Sequence, residues 1–110
     1  MGSNRYSYEF RPEAESGLDN ALLYIRDELR NAQAVKDMIA DLFDKIDNLC
    51  FFPLSGAKVD NEFIIDQTLR KFFVGKYVVF YKPCEKLQTV VIIRIIYGSR
   101  NLDEILNMIG

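Results

Sequence analysis

Residues 70–101, RKFFVGKYVVFYKPCEKLQTVVIIRIIYGSRN, decide how this chain is read. Arg70 to Val74 and Tyr77 to Tyr81 are rich in the aromatic and β-branched residues that suit a pleated, half-buried strand. Only Gly75 and Lys76 stand between them. A two-residue connection with glycine first predicts a hairpin closed by a type II′ turn. Lys82-Pro83-Cys84-Glu85-Lys86 predicts the next reversal, with Cys84 in the turn, and Thr89 to Tyr97 predicts a third strand. That strand is apolar at both parities, which marks a central strand covered on both faces. Arg94 interrupts it. A charge buried there without a partner would be strongly destabilising, so Arg94 is expected to pair with a carboxylate, bind carbonyls or face a groove.

Upstream, Tyr6, Tyr8 and Phe10 alternate with polar residues as a half-buried strand does. Pro12 then suits the first position of a helix, where its missing N–H is harmless, although Arg11 before it is a poor cap. Ala14, Leu18, Ala21, Leu22, Ile25 and Leu29 form one helical stripe. Gly17 within it weakens the helix by about 1 kcal/mol relative to alanine unless close packing requires it. Asn31 is expected to cap a second helix after a link of one or two residues. Val35, Met38, Ile39, Leu42, Phe43, Ile46 and Leu49 continue at helical spacing, with Asp41 and Lys45 placed to pair on the outer face. Pro53 stops that helix near Cys50 or Phe51.

Leu54 to Ile65 reads as a surface connection with a short helical or extended piece at Phe63-Ile64-Ile65. Leu102, Ile105, Leu106 and Ile109 suggest a terminal helix. The predicted order is β-α-α-β-β-β-α. It implies an α+β domain, an antiparallel or mixed sheet with the helical hairpin packed on one face.

A chain of 110 residues, 49% hydrophobic with eight Phe and six Tyr, has material for one core and one domain. Met1-Gly2-Ser3 carries no fold signal, and there is no secretory leader pattern. The run Val90 to Tyr97 is far short of the roughly 20 residues of a membrane span, so a soluble protein without membrane contact is expected. Cys50 and Cys84 are too few for a disulfide framework and lack metal-ligand spacing. Free thiols in a cytoplasmic protein are expected, Cys50 in the core and Cys84 exposed.

The net charge of −2 conceals a division along the chain. Residues 1–65 carry seven Lys or Arg against twelve Asp or Glu, whereas residues 66–100 carry seven against two. A basic surface in the second half suits an acidic or phosphate-bearing partner, and it equally suits a solvated face.

Histidine is absent, which removes the commonest general acid/base and metal ligand and excludes the usual serine and cysteine triads. Gly75 and Gly98 are isolated turn glycines, not a phosphate loop. No metal site or cofactor is expected. Arg70 and Lys71, adjacent on a strand, point to opposite faces. Arg100, between the last strand and the terminal helix, is the best-placed clamp for a phosphate or carboxylate. Tyr77, Tyr81 and Tyr97 could stack on bases or donate hydrogen bonds, although alternation places Tyr77 and Tyr81 on one sheet face, where core packing is the favoured role.

Taken together, YSYEFRPEAE, DNLCFFPLSG, LRKFFVGKYVVFY and VVIIRIIYGSRNLDEIL resemble the RelE/ParE superfamily of bacterial type II toxins, in order and spacing from Tyr6 to Leu106. The resemblance implies a plasmid-stabilization or growth-inhibition toxin encoded beside an antitoxin. In the ParE branch the target is DNA gyrase; in the RelE branch it is mRNA on the ribosome, cleaved by attack of a 2′-hydroxyl. RelE-type ribonucleases carry an arginine just after the residue matching Tyr77, and here stands Val78. They also carry a C-terminal aromatic acid/base, where this chain has Leu106 and Ile109. Losing one transition-state donor typically costs about 2.7–4 kcal/mol.

A non-enzymatic ParE-like inhibitor is therefore expected. Arg70, Lys71, Lys76, Arg100 and Asn101 are its candidate target- or antitoxin-binding residues. The cognate antitoxin is expected to lay a disordered acidic or apolar segment over the hairpin and sheet, and the assembly is a homodimer or a toxin–antitoxin hetero-oligomer. The alternatives are a ribosome-dependent endoribonuclease using Arg70, Arg94, Tyr97 and Arg100, or a degenerate member that only binds antitoxin.

Overall fold

Residues 5–59 and 68–98 are described by the computed structural model of the chain. The first strand, β1, covers Ser7–Phe10, and two helices follow, α1 at Pro12–Asp27 and α2 at Ala32–Phe51. Four strands complete the described elements: β2 at Ala57–Lys58, β3 at Arg70–Val74, β4 at Tyr77–Cys84 and β5 at Thr89–Tyr97. The sheet is mixed, in the order β1-β5-β4-β3-β2. β1 runs parallel to β5, and the other neighbours are antiparallel. The helical hairpin thus carries the chain across one face of the sheet, from one edge to the other. The strands then return and insert β5 beside β1. This is the expected α+β architecture with a two-residue strand, β2, that is too short to leave a periodic signal. The pieces expected at Phe63-Ile64-Ile65 and from Leu102 to Ile109 lie outside the described residues.

Local chemistry sets the ends of the helices. Pro12 opens α1, and Arg11 makes no side-chain cap bond. Asn31 Oδ1 accepts from the Ala34 amide at 3.0 Å and caps α2, which ends at Phe51 just before Pro53 enforces extended backbone. The link between the helices is Glu28–Asn31, longer than one or two residues. Arg30 turns it with a φ of 50°, and the Asn31 amide reaches back to the Ile25 carbonyl at 3.3 Å. Leu29 consequently leaves the stripe and is exposed, as is much of Ile39. Asp41 and Lys45 do pair, at 3.3 Å.

The main core lies between the helices and the sheet. Ala14, Ala21 and Ile25 from α1 and Met38, Leu42, Ile46, Leu49 and Cys50 from α2 meet Val74, Val79, Tyr81, Val90, Ile92 and Ile95. Cys50 is free and buried, and burial pushes its thiol upward. Leu69, Val78, Phe80 and Ile96 form a second buried cluster on the opposite face, so β5 is apolar on both sides as expected. At Gly17, α1 packs closely against β5. A Cβ there would stand 2.4 Å from the Ile95 carbonyl oxygen, so the glycine is required by packing.

A bulge divides β5. Phe80 pairs with Arg94 but Tyr81 pairs with Ile92, which leaves Ile93 without a partner on β4. Simple alternation would place Arg94 beside Val90 and Ile92, pointing into the helix-facing core. The extra residue swings Arg94 to the far face and returns Ile95 to the core. A disturbed ladder bond costs about 1 kcal/mol, whereas an unpaired buried charge costs several, so the bulge is the cheaper arrangement.

The two hairpin turns differ in how well they match expectation. Gly75 has a φ of 56°, and no positive φ occurs at Lys76, the φ pattern of a type II′ turn. The second reversal is shorter than Lys82–Lys86. β4 continues through Pro83, opposite Val90, to Cys84, and the turn is Glu85–Gln88, closed by Gln88 N–H to the Glu85 carbonyl at 3.2 Å. Proline is tolerated because β3 pairs with β4 only as far as Tyr81, so that side of Pro83 has no ladder to join. Cys84 is accordingly a half-buried strand residue.

Two substitutions test this packing. Gly17→Ala should lower stability by about 1–3 kcal/mol in urea unfolding despite alanine's better helix propensity, because its methyl group meets backbone. Tyr81→Phe removes a phenol that donates to the Pro53 carbonyl and accepts from the Gly56 amide, each at 2.9 Å. Burial holds that phenol above its ordinary value near 10. The native state therefore keeps its proton while the unfolded chain loses it, and stability falls as pH rises above about 10. The Phe variant should be less stable at neutral pH by roughly 1–3 kcal/mol. Its alkaline decline should be shallower.

Candidate functional site

The end of the sheet nearest the Gly75-Lys76 turn holds an aromatic cleft. Tyr77 and Tyr97 face each other across β4 and β5, because the register pairs them directly and both side chains lie on the helix side. Their rings meet edge to face with centroids 5.4 Å apart. Tyr24, in the last turns of α1, completes the group. The three tyrosines border two adjoining cavities of about 400 and 570 Å³. Gly17, Asn20 and Ala21 floor the first. The second opens toward Leu29, Met38 and the turn residues Gly75 and Lys76, with Asp37 and Asp41 of α2 on its far wall. Tyr24 and Tyr97 are well exposed, whereas Tyr77 is half-buried. Burial first, then the neighbouring Tyr24 and Tyr97, push the Tyr77 phenol upward.

Local bonds fix this end of the molecule. The Gly98 amide donates to the Lys76 carbonyl at 2.8 Å, tying the end of β5 to the turn. Lys45 Nζ donates to the Phe73 carbonyl at 2.6 Å, so a cation from α2 covers part of the β3 backbone beyond the short β2. The cleft offers apolar area with hydroxyl groups at its rim. That chemistry suits a partner side chain or helix better than a bond-breaking reaction, because its aromatic members are weak bases and no histidine stands near them.

The remaining residues singled out from sequence are dispersed. Arg70 faces the helix side at the opposite end of the sheet and donates to the Leu54 and Gly56 carbonyls at 3.1 and 2.7 Å. With Tyr81 it fixes the segment between α2 and β2. Lys71 points the other way, as expected, and its ammonium lies 5.8 Å from the Phe73 ring centre. Arg94 lies on the far face, donates to the Ile93 carbonyl at 3.1 Å and approaches Glu13 at 3.7 Å, too long for a hydrogen bond. All three alternatives left open by the sequence meet here in part: a loose carboxylate pair, a carbonyl bond and a groove. Tyr97 and Lys76 belong to the aromatic cleft. Arg100 and Asn101 lie outside the described residues. Arg70, Arg94 and Tyr97 therefore occupy three separate places. Tyr81 is a buried structural residue, as favoured.

Tyr24, Arg11 and Lys82 were not singled out by sequence reasoning. Tyr24 follows the α1 stripe by one position, and only docking of the helix on the sheet brings it to Tyr77. Among the described residues, no group of three His, Cys, Asp or Glu side chains could hold a metal ion, and no helix is long and apolar enough to cross a membrane.

Comparison with known proteins agrees with this fold. The toxin–antitoxin complex RelBE2 from Mycobacterium tuberculosis contains a chain with 19% identity and a TM-score of 0.58, covering 84% of this chain and 98% of that one. A chromosomal ParDE toxin–antitoxin system from P. aeruginosa gives 14% identity and a TM-score of 0.64, covering 86% and 98%. No curated protein sequence matches the chain. Residues 8–102 match the model of the ParE toxin of the type II toxin–antitoxin system parDE. That span takes in all but the first residue of β1, both helices and the other four strands, and the chain belongs to the ParE toxin family.

Proposed function

We propose that this ParE-family toxin is a non-enzymatic inhibitor of DNA gyrase, held inactive by a cognate antitoxin. Val78 carries the reading. At the position where RelE-type ribonucleases have an arginine, its side chain is fully buried among Leu69, Phe80 and Ile96. A cation introduced there would be buried in an apolar cluster, and the chain has built core instead of a phosphate contact. The separation of Arg70, Arg94 and Tyr97 supports the same conclusion, since phosphoryl-transfer chemistry needs its donors and base to converge on one phosphate.

The target is proposed to meet the end of the sheet that holds Lys76, Tyr24 and Tyr97, together with Arg100 and Asn101. Lys71 adds charge on the far face. Arg70 contributes by holding the segment after α2 in place. Two of the solved structures that share this fold come from toxin–antitoxin systems, which supports an antitoxin as partner and a hetero-oligomeric assembly.

Purified toxin added to DNA gyrase should abolish supercoiling of relaxed plasmid. Lys76→Glu should raise the toxin concentration needed by roughly tenfold, as expected for reversing a charge at an interface. Circular dichroism of that variant should match the parent. Unchanged supercoiling at toxin excess, with codon-positioned mRNA cuts in a translating-ribosome assay, would replace this reading with the ribonuclease one. A lack of both effects would identify a member that only binds antitoxin.

A further inference from the structure

The far face of the sheet carries a second cleft, of about 470 Å³, away from the tyrosines. Arg11, Lys82 and Arg94 stand around it. They come from three elements that only the fold brings together. Arg11 follows β1, where its amide donates to the Ile92 carbonyl at 2.9 Å. Lys82 is opposite Val91 in the register, and Arg94 reaches the same face through the bulge at Ile93. The floor is aliphatic: Pro83, Val91 and Ile93.

Arg94 is held but not saturated. One of its nitrogens bonds the Ile93 carbonyl, and Glu13 stays 3.7 Å away, which leaves most of its donors available at a cleft that the residue lines. Its side chain is 29% exposed. Arg11 is exposed and makes no side-chain bond or ion pair among the described residues. Two guanidinium groups flanking an aliphatic floor form a receptor for a carboxylate next to an apolar side chain.

We propose that this cleft binds an acidic peptide segment of a protein partner, an aspartate or glutamate clamped by Arg11 and Arg94 beside an aliphatic residue on Val91 and Ile93. The lining favours a peptide over nucleic acid. Among the described residues no aromatic side chain borders the cleft, so a base has no platform to stack on. The cleft exists whatever large target the toxin acts on. Identifying the segment as part of the antitoxin rests on the proposed function; the chemistry of the cleft does not.

The test is fluorescence anisotropy of the whole toxin with a labelled ten-residue peptide of alternating glutamate and leucine. A lysine–leucine peptide and a labelled single-stranded oligo(dT) serve as the other arms. The acidic peptide alone should bind, more weakly as salt rises. Arg11→Gln and Arg94→Gln should each weaken binding by about tenfold, the loss expected when a bidentate charge-assisted pair is removed. Lys36→Gln, on the outer face of α2, should leave it unchanged. Arg11 is exposed, so its variant keeps the test meaningful even if Arg94→Gln disturbs the fold. Absence of peptide binding, or binding that survives both arginine substitutions, overturns the proposal. Tighter binding of oligo(dT) that is lost in the same two variants overturns it in favour of a nucleic-acid site. None of these results alters the gyrase readout, so this site and the proposed target fail independently.

Discussion

The extra residue in β5 is the constraint on which the rest of the structure depends. Ile93 has no partner on β4, and the strand changes parity there. Before it, Val90 and Ile92 face the helices; after it, Ile95 does so and Arg94 does not. Without that change the longest apolar strand would drive a guanidinium into the core. With it, both faces of β5 stay apolar where they are covered, and the charge emerges at a cleft. The contact of Gly17 with the Ile95 carbonyl oxygen lies just past the bulge, so the seat of α1 depends on the same shift.

Two surfaces with different chemistry result. The helix side ends in Tyr24, Tyr77 and Tyr97, an apolar and hydroxyl-bearing cleft next to Lys76. The far side carries Arg11, Lys82 and Arg94 over aliphatic residues. Among the described residues, neither surface assembles a base, a nucleophile and a set of donors around one point. The cationic second half of this ParE-family chain is divided between a turn, a far-face cleft and bonds to backbone carbonyls such as those of Arg70.

Much of this was legible in the sequence because it is set locally. Pro12, Asn31, Pro53 and Gly75 each fix a helix end or a turn through their own backbone chemistry, and each did so where expected. What could not be read depends on neighbours distant in the chain. Parity cannot reveal a bulge in a strand that is apolar at both parities. Pro83 resembles a turn residue unless it is known that β3 stops short beside it. The candidate binding residues suffered similarly. Arg70, which resembles a ligand contact on an open strand, is turned by the fold onto the Leu54 and Gly56 carbonyls. Arg11 and Lys82 gain a role only from the strand order that places β1 beside β5. The partner class came from the succession of motifs, since no single residue in the chain announces it.

The position of the bulge can be measured by thiol labelling. Cysteine is introduced singly at Arg94 and at Ile95, and modification by a charged maleimide under native conditions is resolved by peptide mass spectrometry against the buried Cys50. A bulge at Ile93 predicts that Arg94→Cys is modified many times faster than Ile95→Cys, which should be protected nearly as well as Cys50. Equal rates, or faster modification at Ile95, would mean that β5 alternates without interruption, and the separation of the two faces would be wrong.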